Sequence, residues 1–209
     1  MTLATEQTKQ IDVQWSTGND DGGFPSSLQG VGVIANTWYH VHLFTVGSTV
    51  EVGFDSSITA ANLIADHGGA AGKYRRIGSV LTDGTTPGNI IAFTQVGDRF
   101  IWTVPVEDYN ADPGTSETTT ALTVPTGVSV NAEFTIRISG TGGTHIYHPN
   151  VTGVATNASF KREGAGEAGS TTLTVSTNTS AQVQHISDAS LNAVVLVTLG
   201  WYDNRGRDD

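Results

Sequence analysis

The stretch that decides the fold class lies at residues 128–138 and reads VSVNAEFTIRI. Its even-numbered positions are all apolar, and its odd-numbered positions are all polar. Successive side chains of a strand point to opposite faces, so alternation of this length predicts a strand with one dry and one wet face. Such half-buried strands are typical of antiparallel sheets.

Shorter runs of the same alternation occur on the N-terminal side of this stretch. They lie at residues 11–15, 39–44, 50–54 and 100–106. Clusters of Gly, Pro, Asn and Asp separate the runs at spacings of about ten residues, which is typical of a β-sandwich. A short Ala-rich piece, Thr59 to Asp66, predicts the one helix. We expect Gly164 to Ser170 to form a mobile loop.

Length and composition favour one all-β domain over residues 1–209. A chain of this length buries roughly 70% of its unfolded surface on folding, so it needs no disulfide or metal for stability. Thr, Val, Ser and Gly are abundant, and the first two fit a pleated sheet. Residues 1–10 precede the first alternating run, and we expect them to form a flexible or attachment arm.

The chain is acidic and contains no cysteine. It has 20 acidic and 10 basic residues, for a net charge of −10. This charge repels phosphate backbones and anionic lipids, so we expect no nucleic-acid partner and no membrane insertion. Disulfides, thiolate metal sites and thiol nucleophiles are excluded because cysteine is absent. The longest apolar stretch, Ala193 to Leu199, is too short to span a bilayer.

Histidines are the residues in which metal or acid–base chemistry would be sought. His40 and His42 lie two positions apart and share one strand face, a geometry that suits chelation. Asp66 and His67 would join them only if the fold brings them near. An ordinary sheet face explains the pattern better, and no hydrolase, P-loop, zinc-protease or dinucleotide-binding motif occurs. We expect no catalytic residue, no metal and no cofactor.

Aromatic side chains suggest ligand binding instead, because they stack on sugar rings. Turn residues surround Tyr109 and Tyr147, which are therefore predicted to lie at loop tips. His145 and His148 flank Tyr147 in a predicted loop and are expected at the surface. These four residues are the ligand-binding candidates.

A possible oligomer interface follows from the strand near residue 40, which is apolar on both faces. Trp38 and Phe44 lie on the same face as His40, opposite a second apolar face. Burial on both sides requires either packing of protomers around an axis or a second layer within the chain. Arg75 and Arg76 point to opposite sides of a strand, so one of them pairs with an acid inside an assembly or both are solvated. Trp38, His40, Phe44, Arg75 and Arg76 are the interface candidates.

Three segments resemble proteins of tailed bacteriophages that are described as tail-fibre-like or structural. They are WYH at residues 38–40, YRRIGS at 74–79 and GWYDNRGR at 200–207. Their order matches that family, and the likeness spans roughly residues 8 to 207. The resemblance implies an antiparallel jelly-roll-like β-sandwich, often a homotrimer, displayed on a virion assembled in the bacterial cytoplasm. It carries over no catalytic residues.

The resemblance leaves the position on the particle open. Longer relatives carry a stalk before this domain, whereas the alternation here begins by Ile11. A tail-fibre or receptor-binding role and a capsid-decorating role, as a cement or head-fibre protein, are both expected alternatives. The partners would be further copies of the chain, other virion proteins and a host-surface glycan. A carbohydrate-binding module and, more distantly, a polysaccharide-degrading enzyme are the alternatives from other classes.

Overall fold

The computed structural model describes residues 1–19, 21–28, 30–68, 72–139, 142–151, 160–162, 168–187 and 193–205. The protein is all-β with several antiparallel sheets, which confirms the predicted fold class. Tertiary contacts divide it into two compact units, Met1–Ile91 with Asn204–Asp209, and Ala92–Asp203. The single domain over residues 1–209 stays a prediction. No helix in the described part of the chain is long and apolar enough to cross a membrane.

In its described residues, the first unit contains five strands, a 3₁₀ turn (Ser26–Leu28) and a short helical segment. The strands are β1 (Lys9–Gln14), β2 (Asp21–Phe24), β3 (Trp38–Val46), β4 (Thr49–Asp55) and β5 (Tyr74–Leu81). β1 and β2 pair in parallel, and β3 lies between β4 and β5 in an antiparallel sheet. Helix α1 (Ala61–Leu63) and a π-helical turn (Ile64–Gly68) lie where the Ala-rich piece predicted a helix. Because β1 begins at Lys9, the last two residues of the predicted arm belong to a strand.

A core cluster of the first unit covers the face of β3 that carries Phe44. Phe44 is fully buried in a cluster with Trp15, Ala60 and Leu63. The Trp15 and Phe44 rings meet edge to face with their centroids 5.3 Å apart. The Trp15 indole N–H donates to the Val52 carbonyl at 2.9 Å. A second layer of the same chain therefore buries Phe44.

The described part of the second unit contains nine strands in two sheets. They are β6 (Phe93–Val96), β7 (Arg99–Ala111), β8 (Thr118–Ala121), β9 (Asn131–Ser139), β10 (Gly142–Tyr147), β11 (Phe160–Arg162), β12 (Ala168–Ser176), β13 (Gln182–Ser187) and β14 (Ala193–Tyr202). The sheet orders are β11-β10-β13-β8 and β12-β9-β14-β7-β6, and every pairing is antiparallel. Let β7 be counted as strand 1 and β14 as strand 8. In spatial order, one sheet then contains strands 1, 8, 3 and 6, and the other contains strands 2, 7, 4 and 5. This is the strand order of an eight-stranded jelly roll, with β6 added at one end.

The deciding stretch forms β9, whose inner face lies in the core between the two sheets. Phe134, Ile136 and Ile138 are each at most 5% exposed. The two sheets pack face to face. Tyr109 on β7 and His185 on β13 belong to different sheets, and their ring centroids are 4.7 Å apart.

β9 begins three residues later than the alternation predicted. The Ser129 hydroxyl donates to the Thr177 carbonyl, and the Thr177 hydroxyl donates to the Val130 carbonyl. Side chains therefore take part in the backbone hydrogen bonding of Val130 and Thr177, just before β9 begins.

Two further segments differ in extent from the sequence-based expectation. Residues 164–167 of the predicted mobile loop lie outside the described residues, whereas residues 168–170 are the start of β12. In the closing GWYDNRGR segment, residues 206–207 also lie outside the described residues. Residues 200–202 form the end of β14, and residues 203–205 follow it.

The end of β14 supplies the aromatic core of the second unit. Trp201 is fully buried and stacks on Phe100, with ring centroids 5.0 Å apart and an interplanar angle of 3°. Trp102 packs at 5.1 Å from Trp201, and Phe93 packs at 6.4 Å. The Trp of the closing segment is therefore a core residue.

Candidate functional site

In the first unit, one face of the β4-β3-β5 sheet carries buried polar side chains. His40, His42, Asp55 and Ser79 are each at most 2% exposed. In the strand pairing, His40 lies between Asp55 on β4 and Ser79 on β5. Nucleophilic hydrolases combine the same three residue types, so the hydrogen bonds determine what this set does.

Ser79 links an arginine to a histidine. Arg76 Nη1 donates to Ser79 Oγ at 3.1 Å, and Ser79 Oγ lies 2.9 Å from His40 Nδ1. An arginine only donates, so the Ser79 hydroxyl accepts from Arg76 and also shares a hydrogen bond with His40 Nδ1. A nucleophilic serine must also have its Oγ open to the substrate, whereas Ser79 is only 1% exposed. Ser79 therefore holds Arg76 in place.

Asp55 organises the start of α1. Its carboxylate accepts the Ser57 N–H at 2.8 Å and the Leu63 N–H at 3.0 Å. The Asn62 backbone N–H and side-chain amide donate to it at 2.9 and 2.7 Å. Ala60, at the helix cap, provides no side-chain bond. Asp55 therefore satisfies helix donors that a capping side chain would satisfy elsewhere.

His42 is a neutral buried histidine. Its Nε2 lies 3.0 Å from the Ser57 carbonyl, which only accepts, so Nε2 carries the proton. Its Nδ1 is buried without a hydrogen-bond partner. Burial lowers the pKa of His42 to about 4, with a smaller lowering from Arg76; the Ser57 hydrogen bond and the Asp55 charge oppose it. His42 is therefore uncharged at neutral pH.

The chelating arrangement considered for His40 and His42 does not form from the residues that the structure describes. The two ring centroids are 6.3 Å apart. Asp66 accepts the N–H and the hydroxyl of Ser27 at 2.8 and 2.9 Å, and the His67 ring packs against Trp15. Within the described ranges, no group of three or more His, Asp or Glu residues is placed to hold a metal ion.

The five interface candidates differ in the surface that they offer. His40 is 2% exposed and Phe44 is completely buried. Trp38 and Arg76 are half-buried, and Arg75 is exposed. Contacts of an interface at this sheet would therefore come from Trp38, Arg75 and Arg76. The interface itself stays a prediction.

In the second unit, His145 and Tyr147 lie in β10, although the sequence predicted a loop. Both are buried, with 5% and 8% exposed, so the expected surface position of His145 is wrong. The segment is short and begins with two glycines, which concealed the strand. His148, just after β10, is half-buried, and its Nδ1 accepts the Asn150 N–H at 3.1 Å.

Tyr109 lies within β7, although the sequence predicted a loop tip. Its half-buried ring meets the His185 ring inside the sandwich. Burial raises the pKa of Tyr109, and the charge of Asp112 adds to the increase. Ligand binding at Tyr109 stays a prediction.

Tyr147 fixes an exposed carboxylate. Its hydroxyl donates to Glu117 Oε1 at 2.8 Å, and Gln184 Nε2 donates to Glu117 Oε2 at 2.8 Å. Burial raises the pKa of Tyr147 to about 12, and the hydrogen bond and charge of Glu117 contribute. We call Glu117, Tyr147 and Gln184 the Glu117 site. It presents carboxylate and amide groups that suit the hydroxyls of a sugar, because each carboxylate oxygen accepts more than one bond.

Sequence reasoning found only Tyr147 of the Glu117 site. Glu117 lies 30 positions from Tyr147 and 67 positions from Gln184. Strand pairing brings Gln184 directly beside Tyr147. A single Glu or Gln does not stand out in a chain rich in polar residues, so no sequence signal marks Glu117 or Gln184.

Comparison of the chain with protein-family models, with curated proteins and with solved structures finds no match in any of the three.

Proposed function

We propose that this chain is a non-enzymatic structural protein of a tailed-bacteriophage virion. It is displayed on the particle surface as a homo-oligomer, with a trimer implied by the resemblance, and contacts a host-surface glycan. The observation that carries the proposal is the jelly-roll strand order of Ala92–Asp203. That fold is implied by the resemblance and occurs in viral capsid and lectin domains.

The buried polar face of the first unit supports a structural role. The Ser79 hydroxyl holds Arg76, and Asp55 satisfies four donors around α1. Side chains that would otherwise suit catalysis are thus engaged in maintaining the fold.

The Glu117 site supports glycan contact. Two donors fix the carboxylate before any ligand arrives, which reduces the entropy lost on binding. The net charge of −10 repels anionic polymers, so the proposed ligand is a neutral glycan. Tail attachment uses such a contact, and we favour it over capsid decoration for this reason.

Replacing Glu117 with Gln is expected to weaken binding to a neutral bacterial polysaccharide by about tenfold or more. The substitution removes a charged acceptor, and hydrogen bonds to charged groups contribute about 1.5–3 kcal/mol. An array of bacterial surface polysaccharides identifies the tightest binder, and calorimetry with that polysaccharide measures the affinity. Glu107→Gln, at an exposed carboxylate on β7, is the matched control. Equal affinities for Glu117→Gln and the unaltered protein would rule out the site.

Antibodies raised against the chain test the location. Immunogold labelling of tailed particles released by the bacterium that encodes the chain is expected to mark the tail. Labelling of the head, together with copy-matched binding to empty shells, would identify capsid decoration instead. Particles that carry no label would contradict the virion assignment.

A carbohydrate-binding module is the second candidate, and the Glu117 site favours it. It predicts glycan binding by single protomers together with unlabelled particles. The labelling and affinity measurements therefore separate the two functions.

A further inference from the structure

β12 is an end strand of the five-stranded sheet in the second unit, and its pairing is unusually regular. It pairs with β9 along all nine residues without a register shift. Its sequence, AGSTTLTVS, contains no charged residue and no proline. In the described part of the chain, no strand pairs with its outer edge.

The other described strands at sheet ends carry features that discourage pairing. β6 and β8 have four residues each, and β2 has four as well. β11 has three residues, two of them basic. β1 contains Lys9 and Asp12, and β5 contains two arginines and pairs across a bulge. β4 is covered, since Trp15 donates to its Val52 carbonyl. Short length, charge, bulges and covering are the usual means of protecting an edge, and β12 has none of them in the described structure.

From this contrast we infer that β12 is a pairing edge for a second copy of this chain. Its outward backbone N–H and C=O groups match those of an identical antiparallel strand. Two copies with a net charge of −10 repel each other, so they approach most easily along an uncharged edge. The inference does not depend on the proposed virion function.

Side chains on the inner face of β12 favour the same partner. Leu173 and Val175 are half-buried, although they pair with the fully buried Phe134 and Ala132 of β9. A strand added along β12 covers the remaining apolar surface of both side chains. On the outer face, Thr172 is exposed and uncharged, so it leaves room for a partner strand.

The pairing has a defined symmetry. Thr172 is the midpoint of Ala168–Ser176, so full antiparallel overlap places Thr172 opposite Thr172 of the second copy. The interface is then isologous, and it joins the two five-stranded sheets into one. It gives a dimer, or a hexamer if the three-fold contact implied by the resemblance is also present.

Charge substitutions at Thr172 test the pairing. Light scattering of the complete unaltered chain at several concentrations is expected to give an even multiple of 21.9 kDa. Thr172→Lys and Thr172→Glu each place like charges opposite one another and are expected to weaken this association by about tenfold or more. A mixture of the two variants is expected to restore it as one-to-one pairs. Thr94→Lys, on the short edge strand β6, is the control and leaves the association unchanged.

Several results would overturn the inference. A monomer at every concentration would do so, as would an even-numbered assembly that Thr172→Lys leaves intact. A trimer would overturn it while leaving the proposed virion function standing. Hydrogen exchange on the unaltered protein provides a readout without substitutions: β12 amides are expected to exchange more slowly as the concentration rises, and concentration-independent exchange contradicts the pairing.

Discussion

Acidification from pH 7 to pH 4 is expected to lower the free energy of unfolding by about 3 kcal/mol for each of two buried histidines. One is His42 in the first unit, and the other is His185 in the second. His185 is completely buried, and its Nε2 lies 2.8 Å from Thr120 Oγ1. Its Nδ1 is buried without a hydrogen-bond partner, and burial lowers its pKa to about 4.

The direction follows from the protons bound in each state. The ordinary pKa of 6.5 applies to the unfolded chain, whereas the folded value of each histidine is about 4. Well above pH 6.5 both states are neutral at these residues, and the protein has its full stability. As the pH falls toward 4, the unfolded state takes up protons that the folded state does not, so stability decreases. The loss levels off below about pH 4. Each unit by which the pKa differs between the folded and unfolded states contributes about 1.4 kcal/mol to it.

Chemical denaturation at a series of pH values, followed by tryptophan fluorescence, measures this loss. Between pH 6.5 and 4, His42→Gln and His185→Gln are each expected to reduce the loss in the free energy of unfolding by the contribution of one histidine, about 3 kcal/mol. The slope is compared rather than the absolute stability, because each substitution also changes a hydrogen bond. His148→Gln, at a half-exposed position, is the control. A double variant whose slope equals that of the unaltered protein would contradict the assignment.

The local alternation of apolar and polar residues was sufficient to predict an all-β fold. It did not predict the division of the chain into two compact units. The pattern at residues 128–138 identifies a half-buried strand, and β9 confirms it from Asn131 onward. Periodicity indicates which side chains share a face, but it does not indicate which strand lies alongside. The jelly-roll order was therefore expected only from the resemblance, and the β4-β3-β5 sheet of the first unit was not expected at all.

The candidate sites were harder to predict because their members meet across strands. Ser79 reaches His40 from 39 positions away, and Glu117 reaches Gln184 from 67. Such contacts depend on register, which a single sequence does not specify. Burial of His145 and Tyr147 was missed for a related reason: a six-residue strand beginning with two glycines has the composition of a loop.

Gly200→Ala is expected to destabilise the second unit by about 3 kcal/mol, at the upper end for overpacking. A Cβ at Gly200 would lie 2.0 Å from the Phe100 carbonyl oxygen and 3.0 Å from the Ile101 Cα. Both are backbone atoms, so the paired strands β7 and β14 must separate. The register of β14 already shifts between Thr198 and Gly200, and Phe100 stacks on Trp201 next to it.

Gly30→Ala is the matched control, because a Cβ there meets nothing within 4 Å and the backbone is not left-handed. Its effect is expected to stay within about 0.5 kcal/mol. Urea denaturation measures both variants, and tryptophan fluorescence, to which Trp102 and Trp201 contribute, reports the packing of the second unit. If Gly200→Ala unfolds at the same urea concentration as Gly30→Ala, the close approach of β7 to β14 is not as described. The expected loss would instead show that the close packing of Gly200 against β7 stabilises the second unit, because these paired strands carry the stacked Phe100 and Trp201.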